Sequence, residues 1–165
     1  MESDLVLECL ASGTGPKRVT RFASHFQIKV CNVNVRFYLK VAMVSRTASK
    51  LEAAAAENPG TFAFAGDVTN PESLKSALTA VEQKLGEIHT VVYNAGNGVF
   101  ATYENVTHEK LEMAMKTNVH GLLTVAQHVG PKMTARGEGV IAVTGATAAL
   151  RGKPMTVSPT NKGLS

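Results

Sequence analysis

Two glycines stand in "SGTGP", Ser12 to Pro16, directly after the apolar run Leu5 to Leu10. Between a strand and a helix, Gly13 and Gly15 would let backbone N–H groups approach a pyrophosphate at the helix N-terminus, although any such turn can hold glycines for conformational reasons alone. "VAMVSRT" closes the next strand-like run on Arg46, at the position from which a doubly wound sheet reads the ribose of a dinucleotide. A carboxylate there would accept from the 2′-OH, whereas a guanidinium suits a 2′-phosphate; the plain alternative is a solvated surface arginine. "GDVTNPES" puts Asp67, and "VVYNAGNG" puts Asn94, Ala95 and Gly96, just past two further runs, at the sheet edge where ligands bind. The chemistry these groups share is recognition of a phosphate-bearing small ligand. No metal site accompanies it, because Cys9 and Cys31 are lone thiols without Cys-x-x-Cys or Cys/His spacing.

The elements that must hold these residues alternate. Strand-like runs at Leu5 to Leu10, Val41 to Ser45, Thr61 to Ala65, Thr90 to Tyr93 and Val140 to Thr144 are separated by helical patterns, the signature of βαβ units on a parallel sheet. Ser49-Lys50-Leu51-Glu52 has the form of a capping box, and Asn70 precedes Pro71 as the cap of a helix that Gly86 closes. Thr107 starts a longer pattern running from Glu109 to Arg136, in which Gly121 and Gly130-Pro131 predict a bend or break. Between the first two strands the alternation fails. A crossover there needs a helix of about ten residues or more; only Lys17 to Phe26 is available, without a clear amphipathic stripe. Val33, Val35, Phe37, Leu39, Val41 and Met43 are apolar at every second position, which predicts extended chain.

Length and charge narrow the field further. The chain of 165 residues, 44% hydrophobic, is the size of one domain. The net charge of +4 is local: Cys9 to Leu51 holds eight Lys or Arg and no acid, whereas Glu52 onward holds nine basic and ten acidic residues. Aromatics make up only 5%, too few to interleave with the basic stretch as a nucleic-acid surface requires, so a phosphate-bearing small molecule is the expected partner and nucleic acid is not. The chain opens Met1-Glu2-Ser3-Asp4 and has no apolar run near the roughly 18 residues that span a bilayer. A soluble protein with no membrane contact is expected, in a reducing compartment, the cytoplasm.

Taken together, "GTGP", "VSR", "GDVTN", "NAG", "TNVHG" and "VIAVTGATAALRG", in this order and at these separations, resemble the short-chain dehydrogenase/reductase family over nearly the whole chain, most closely from Val41 to Gly152. The resemblance implies an α/β, Rossmann-like doubly wound parallel sheet of order 3-2-1-4-5, in one NAD(P)-binding domain over 1–165. It also implies that Asp67 contacts the adenine ring, that Asn94, Ala95 and Gly96 shape the cofactor cleft, and that Asn118 interrupts its helix to hold a proton-relay water. The family's catalytic centre is a Tyr-x-x-x-Lys pair with a serine about thirteen residues before the tyrosine. Lys162 matches the lysine; Ser158 stands in the tyrosine position and Gly145 in the serine position, with Thr144 and Thr147 the nearest hydroxyls.

Further departures accompany these. Lys17-Arg18-Val19 stands where the family has a third glycine, residues 25–40 form an atypical insertion, and the chain stops before the family's last helices and strands. By resemblance the function is NADP-linked interconversion of an alcohol and a carbonyl, NADP being expected in preference to NAD because of Arg46. Lys162, Asn118, Ser158, Thr144 and Thr147 form an incomplete catalytic set acting on a small-molecule substrate, with a homo-oligomer compatible with the family. The alternative is a non-catalytic Rossmann-like remnant that binds a nucleotide or another protein.

Overall fold

The computed structural model describes residues 5–10, 29–30, 33–34, 40–56, 60–99 and 101–145. In chain order these form β1 (Leu5–Leu10), β2 (Lys29–Val30), β3 (Val33–Asn34), β4 (Lys40–Ser45), α1 (Ala48–Ala56), β5 (Thr61–Ala65), α2 (Pro71–Leu85) and β6 (Ile88–Asn94). There follow α3 (His108–Met115), a π-helical turn (Lys116–His120), α4 (Gly121–Arg136) and β7 (Val140–Val143).

The local signals act as the physics of helix ends requires. The Asn70 side chain accepts from the N–H groups of Glu72 and Ser73, Pro71 occupies the first turn, and Gly86 ends α2 at φ 101°, in the left-handed half of the map that glycine enters without penalty. Thr107 caps α3 by accepting from Lys110 N–H, and Gly137 ends α4 at φ 76°. Two expectations are corrected. Helix α1 takes in Ala48, so Ser49 lies inside its first turn and not ahead of it, the high helix propensity of alanine carrying the helix outward. Gly130-Pro131 does not interrupt α4, although Pro131 forfeits one N–H; Val129 and Met133 on either side are buried and hold the helix in register.

Five strands form one parallel sheet in the order β5-β4-β1-β6-β7, which is 3-2-1-4-5 when the strands of this sheet alone are counted. β2 and β3 pair antiparallel outside it, Lys29 opposite Asn34 and Val30 opposite Val33. Within the segment 33–43, residues 33–34 and 40–43 are extended; 35–39 lie outside the described residues, as does the region 11–28 between the first strand and β2. Four consecutive residues of β4, Val41 to Val44, are buried, so both faces of this strand are covered, as a parallel sheet demands. Ala42 and Val44 join the main core, while Val41, Met43 and Leu51 of α1 are buried outside it, the alternation that strand geometry imposes.

Helix α2 contributes Leu74, Ala77, Leu78, Val81 and Leu85 to that core, spaced as one apolar stripe. It packs on β4 and β5 and along α4. At the edge of the α2–α4 contact Glu82 Oε2 accepts from Lys132 Nζ at 2.5 Å and lies 2.9 Å from His128 Nε2. Burial alone would raise the Glu82 pKa, but the hydrogen bonds and positive charge of Lys132 and His128 outweigh it and hold the carboxyl below its usual value. A depressed folded pKa adds stability that is full above the unfolded value and disappears as pH falls through the folded one. Glu82→Gln should therefore cost about 1 kcal/mol near neutrality, Lys132 being half exposed. In urea denaturation its difference from the parent should shrink towards zero as pH falls through and below the ordinary carboxylate range.

Candidate functional site

Because the strands run parallel and in register, their carboxyl ends share one edge. Ser45 is opposite Ala65, Leu10 opposite Asn94, and Tyr93 opposite Val143. Arg46, Asp67, Ala95 to Gly96 and Thr144 therefore emerge along that edge, Thr144 still tied by its N–H to Tyr93 O at 3.0 Å. Gly66 makes the exit from β5 possible: a Cβ there would fall 2.7 Å from Val44 Cγ1 and 2.8 Å from Ala77 Cβ, closer than any methyl can sit.

Asp67 is fixed by its own turn. Its Oδ1 accepts from Thr69 N–H at 2.8 Å and from Thr69 Oγ1 at 2.7 Å, while its N–H donates to Ser73 Oγ at 3.2 Å. Asp67 is half-buried as a residue, and among the described residues both bonds from Thr69 fall on Oδ1. Arg46 is exposed at the end of β4.

The second half of the site depends on the π-turn. Gly121 N–H donates to Lys116 O, five residues back, so the shifted register leaves the Thr117 carbonyl to another donor. That donor is the Tyr93 hydroxyl, carried on a residue 1% exposed at the end of β6. Gly121 allows the approach: a Cβ there would collide with the phenol oxygen and lie 2.7 Å from Val68 O. One residue beyond Thr117, Asn118 reaches the loop after β6. Its Oδ1 accepts from Asn97 N–H at 2.7 Å and its Nδ2 donates to Asn97 O at 2.9 Å, a two-point clasp on the backbone of one residue. Gly96 adjoins it, a Cβ at Gly96 lying 3.8 Å from Asn118 Oδ1.

Of the residues singled out from the sequence, Asn118 and the Asn94-Ala95-Gly96 loop are thus brought together, and Arg46, Asp67 and Thr144 share their sheet edge. Gly13, Gly15, Thr147, Ser158 and Lys162 lie outside the described residues. The helix interruption predicted at Gly121 is the π-turn that ends there, with Asn118 inside it. Sequence reasoning did not find Tyr93 and Asn97. The signal for Tyr93 was present, since a tyrosine on the inward side of a strand needs a hydrogen-bond partner; nothing in the sequence marked Asn97, whose contribution is made by backbone atoms.

A family model described as short chain dehydrogenase matches residues 28–158. The chain belongs to this family. Among curated relatives, the oxidoreductase asL5 of Sarocladium schorii is 32% identical over 115 residues, 69% of this chain and 46% of that protein. The 3-oxoacyl-[acyl-carrier-protein] reductase MabA of Mycobacterium tuberculosis is 35% identical over 74 residues, 45% of this chain and 30% of its own. The matched segments thus span less than half the length of these relatives. Among solved structures, an actinorhodin polyketide ketoreductase with NADPH superposes with a TM-score of 0.75 at 21% identity, over 93% of this chain and 58% of that one, a likeness of fold.

Short-chain dehydrogenases use a nicotinamide dinucleotide, and the described residues fit one. The strand-end edge offers the Asp67 carboxylate, the side-chain-free Gly96 beside the clasp, and Gly145, where a Cβ would meet no described atom within 4 Å. Among the described residues no group of His, Cys, Asp and Glu could hold a metal, and no helix is long and apolar enough to cross a membrane.

Asn118→Ala removes both arms of the clasp and should lower stability by about 1–3 kcal/mol in chemical denaturation. Asn118→Asp, which keeps the acceptor and loses the donor, should fall between it and the parent.

Proposed function

We propose that the chain carries the nucleotide-binding part of an NADP-dependent oxidoreductase that interconverts an alcohol and a carbonyl compound, and that it is itself impaired in that reaction. The observation that carries the reading is the Asn118 clasp on Asn97 beside Gly96, set on the same sheet edge as Asp67. Three of the relatives support it, being described as an oxidoreductase and two reductases.

When bound, the cofactor supplies the hydride donor or acceptor. In this reading Asp67 Oδ2 accepts from the adenine amino group, Gly96 lets the dinucleotide lie close to the backbone, and the Arg46 guanidinium pairs with the 2′-phosphate. Lys162 holds the nicotinamide ribose. Impairment follows from Ser158, four residues before Lys162, because an aliphatic hydroxyl is a far weaker acid than a phenol. General acid–base assistance of about 10²–10⁴ in rate is forfeited. Gly145 stands where the family has its serine, and Thr144 or Thr147 is out of register to replace it.

Two measurements test this. Fluorescence titration should show NADPH bound more tightly than NADH, and Arg46→Ala should reduce that preference about tenfold; equal affinities in the parent would remove Arg46 from the site. An NADPH-consumption assay over ketones, aldehydes and quinones should show no turnover above background, beside a Lys162→Ala control. Turnover that Lys162→Ala abolishes would show that another hydroxyl has taken over the proton transfer.

A further inference from the structure

We infer that Tyr93 is a positioning residue for the nucleotide loop: by donating to Thr117 O it locks the π-turn that aims Asn118 at Asn97. The inference rests on the nucleotide reading for its consequence, but not for its geometry. Tyr93 follows two strand valines, Val91 and Val92, and immediately precedes Asn94 at the end of β6. Its hydroxyl is buried, so it must find a donor or acceptor within the protein. In an unbroken α-helix the Thr117 carbonyl would be taken by Gly121 N–H four residues on; here that N–H goes to Lys116 O, and the phenol takes Thr117 O in its place. The extra residue in the turn rotates everything before it relative to α4. Asn118 lies inside that turn, directly after the anchored carbonyl, and both of its polar atoms close on Asn97.

Three features make the coupling mutual. Gly121 is the residue at which α4 approaches both the phenol oxygen and Val68 O, and it has no side chain to block either. Thr117, itself buried, donates its own hydroxyl proton to Met113 O at 3.0 Å, which satisfies that donor without the phenol. Asn97, at the far end of the chain of contacts, belongs to the loop that contains Gly96. A π-turn costs hydrogen-bond geometry relative to an α-turn; the phenol bond offsets that cost only while the hydroxyl is present.

The test uses the full chain, labelled with ¹⁵N, in hydrogen exchange followed by NMR without nucleotide. Tyr93→Phe keeps the ring and removes the hydroxyl. It should lower the protection of the Asn97 amide about tenfold while leaving that of the Val91 amide, in the middle of β6, unchanged. Equal loss at both amides, no loss at Asn97, or failure of the variant to fold would each overturn the inference, since the hydroxyl would then serve the whole fold or nothing. In the parent, the Tyr93 hydroxyl proton should appear as a slowly exchanging resonance with cross-peaks to Thr117; its absence would also overturn the inference. NADPH titration is the separate arm. Tyr93→Phe should weaken binding about five- to tenfold, and add little to the effect of Asn118→Ala, because the two act in series. Full additivity would overturn the inference. If neither parent nor variant binds NADPH, the cofactor reading falls, and the exchange comparison alone decides the role of Tyr93.

Discussion

The Tyr93 phenol lies on the buried side of β6, where no water can serve its hydroxyl, and the acceptor it finds is a backbone carbonyl that an α-helix would have used itself. Much of the site geometry follows from that exchange. For Thr117 O to be open, the helix must change register between Lys116 and His120; for the helix to come near enough, residue 121 must lack a side chain. Once both hold, Asn118 closes on the backbone N–H and C=O of Asn97 and fixes the loop that leaves the sheet. A single buried polar group thus dictates a helix irregularity, a glycine and a loop conformation, because burying it unpaired would cost about 1–3 kcal/mol.

The same economy holds at the neighbouring strand. Gly66 leaves β5 through a gap between Val44 and Ala77 too narrow for a methyl group, which delivers Asp67 to the edge with one oxygen committed to Thr69. Helix α2, capped by Asn70 three residues later, buries its stripe on the sheet and is tied through Glu82 to His128 and Lys132 of α4. The helix that carries the π-turn is therefore held twice, by a polar tie at its solvent side and by Tyr93 at the sheet side. Residues 28–158 match the short chain dehydrogenase family; in the proposed reading Ser158 and Gly145 stand where a phenol and a serine are expected.

Legibility differed by the kind of signal. The five strands of the parallel sheet were plain because each is a short, mostly apolar run with clear flanks, and their observed bounds differ from the expected ones by two residues or fewer. Asn70, Thr107 and Gly86 were plain because caps are local chemistry. The Ser49 box misled, since a short alanine-rich helix can extend past a good cap at almost no cost. Pro131 misled for the opposite reason: its local penalty is real, and burial of Val129 and Met133 outweighs it.

By itself the sequence determined the alternating α/β plan, the family, and the identity of the residues at the strand ends, because periodicity, caps and strand-end motifs are written in neighbouring positions. It also determined that Ser158 stands four positions before Lys162. Only the tertiary structure decided that Asn118 spends both polar atoms on Asn97, that Tyr93 answers Thr117, and that Gly121 is required by close approach and not by flexibility. Those facts join residues 21 to 53 positions apart, mostly through backbone atoms, and a backbone carbonyl or N–H has no letter of its own in a sequence.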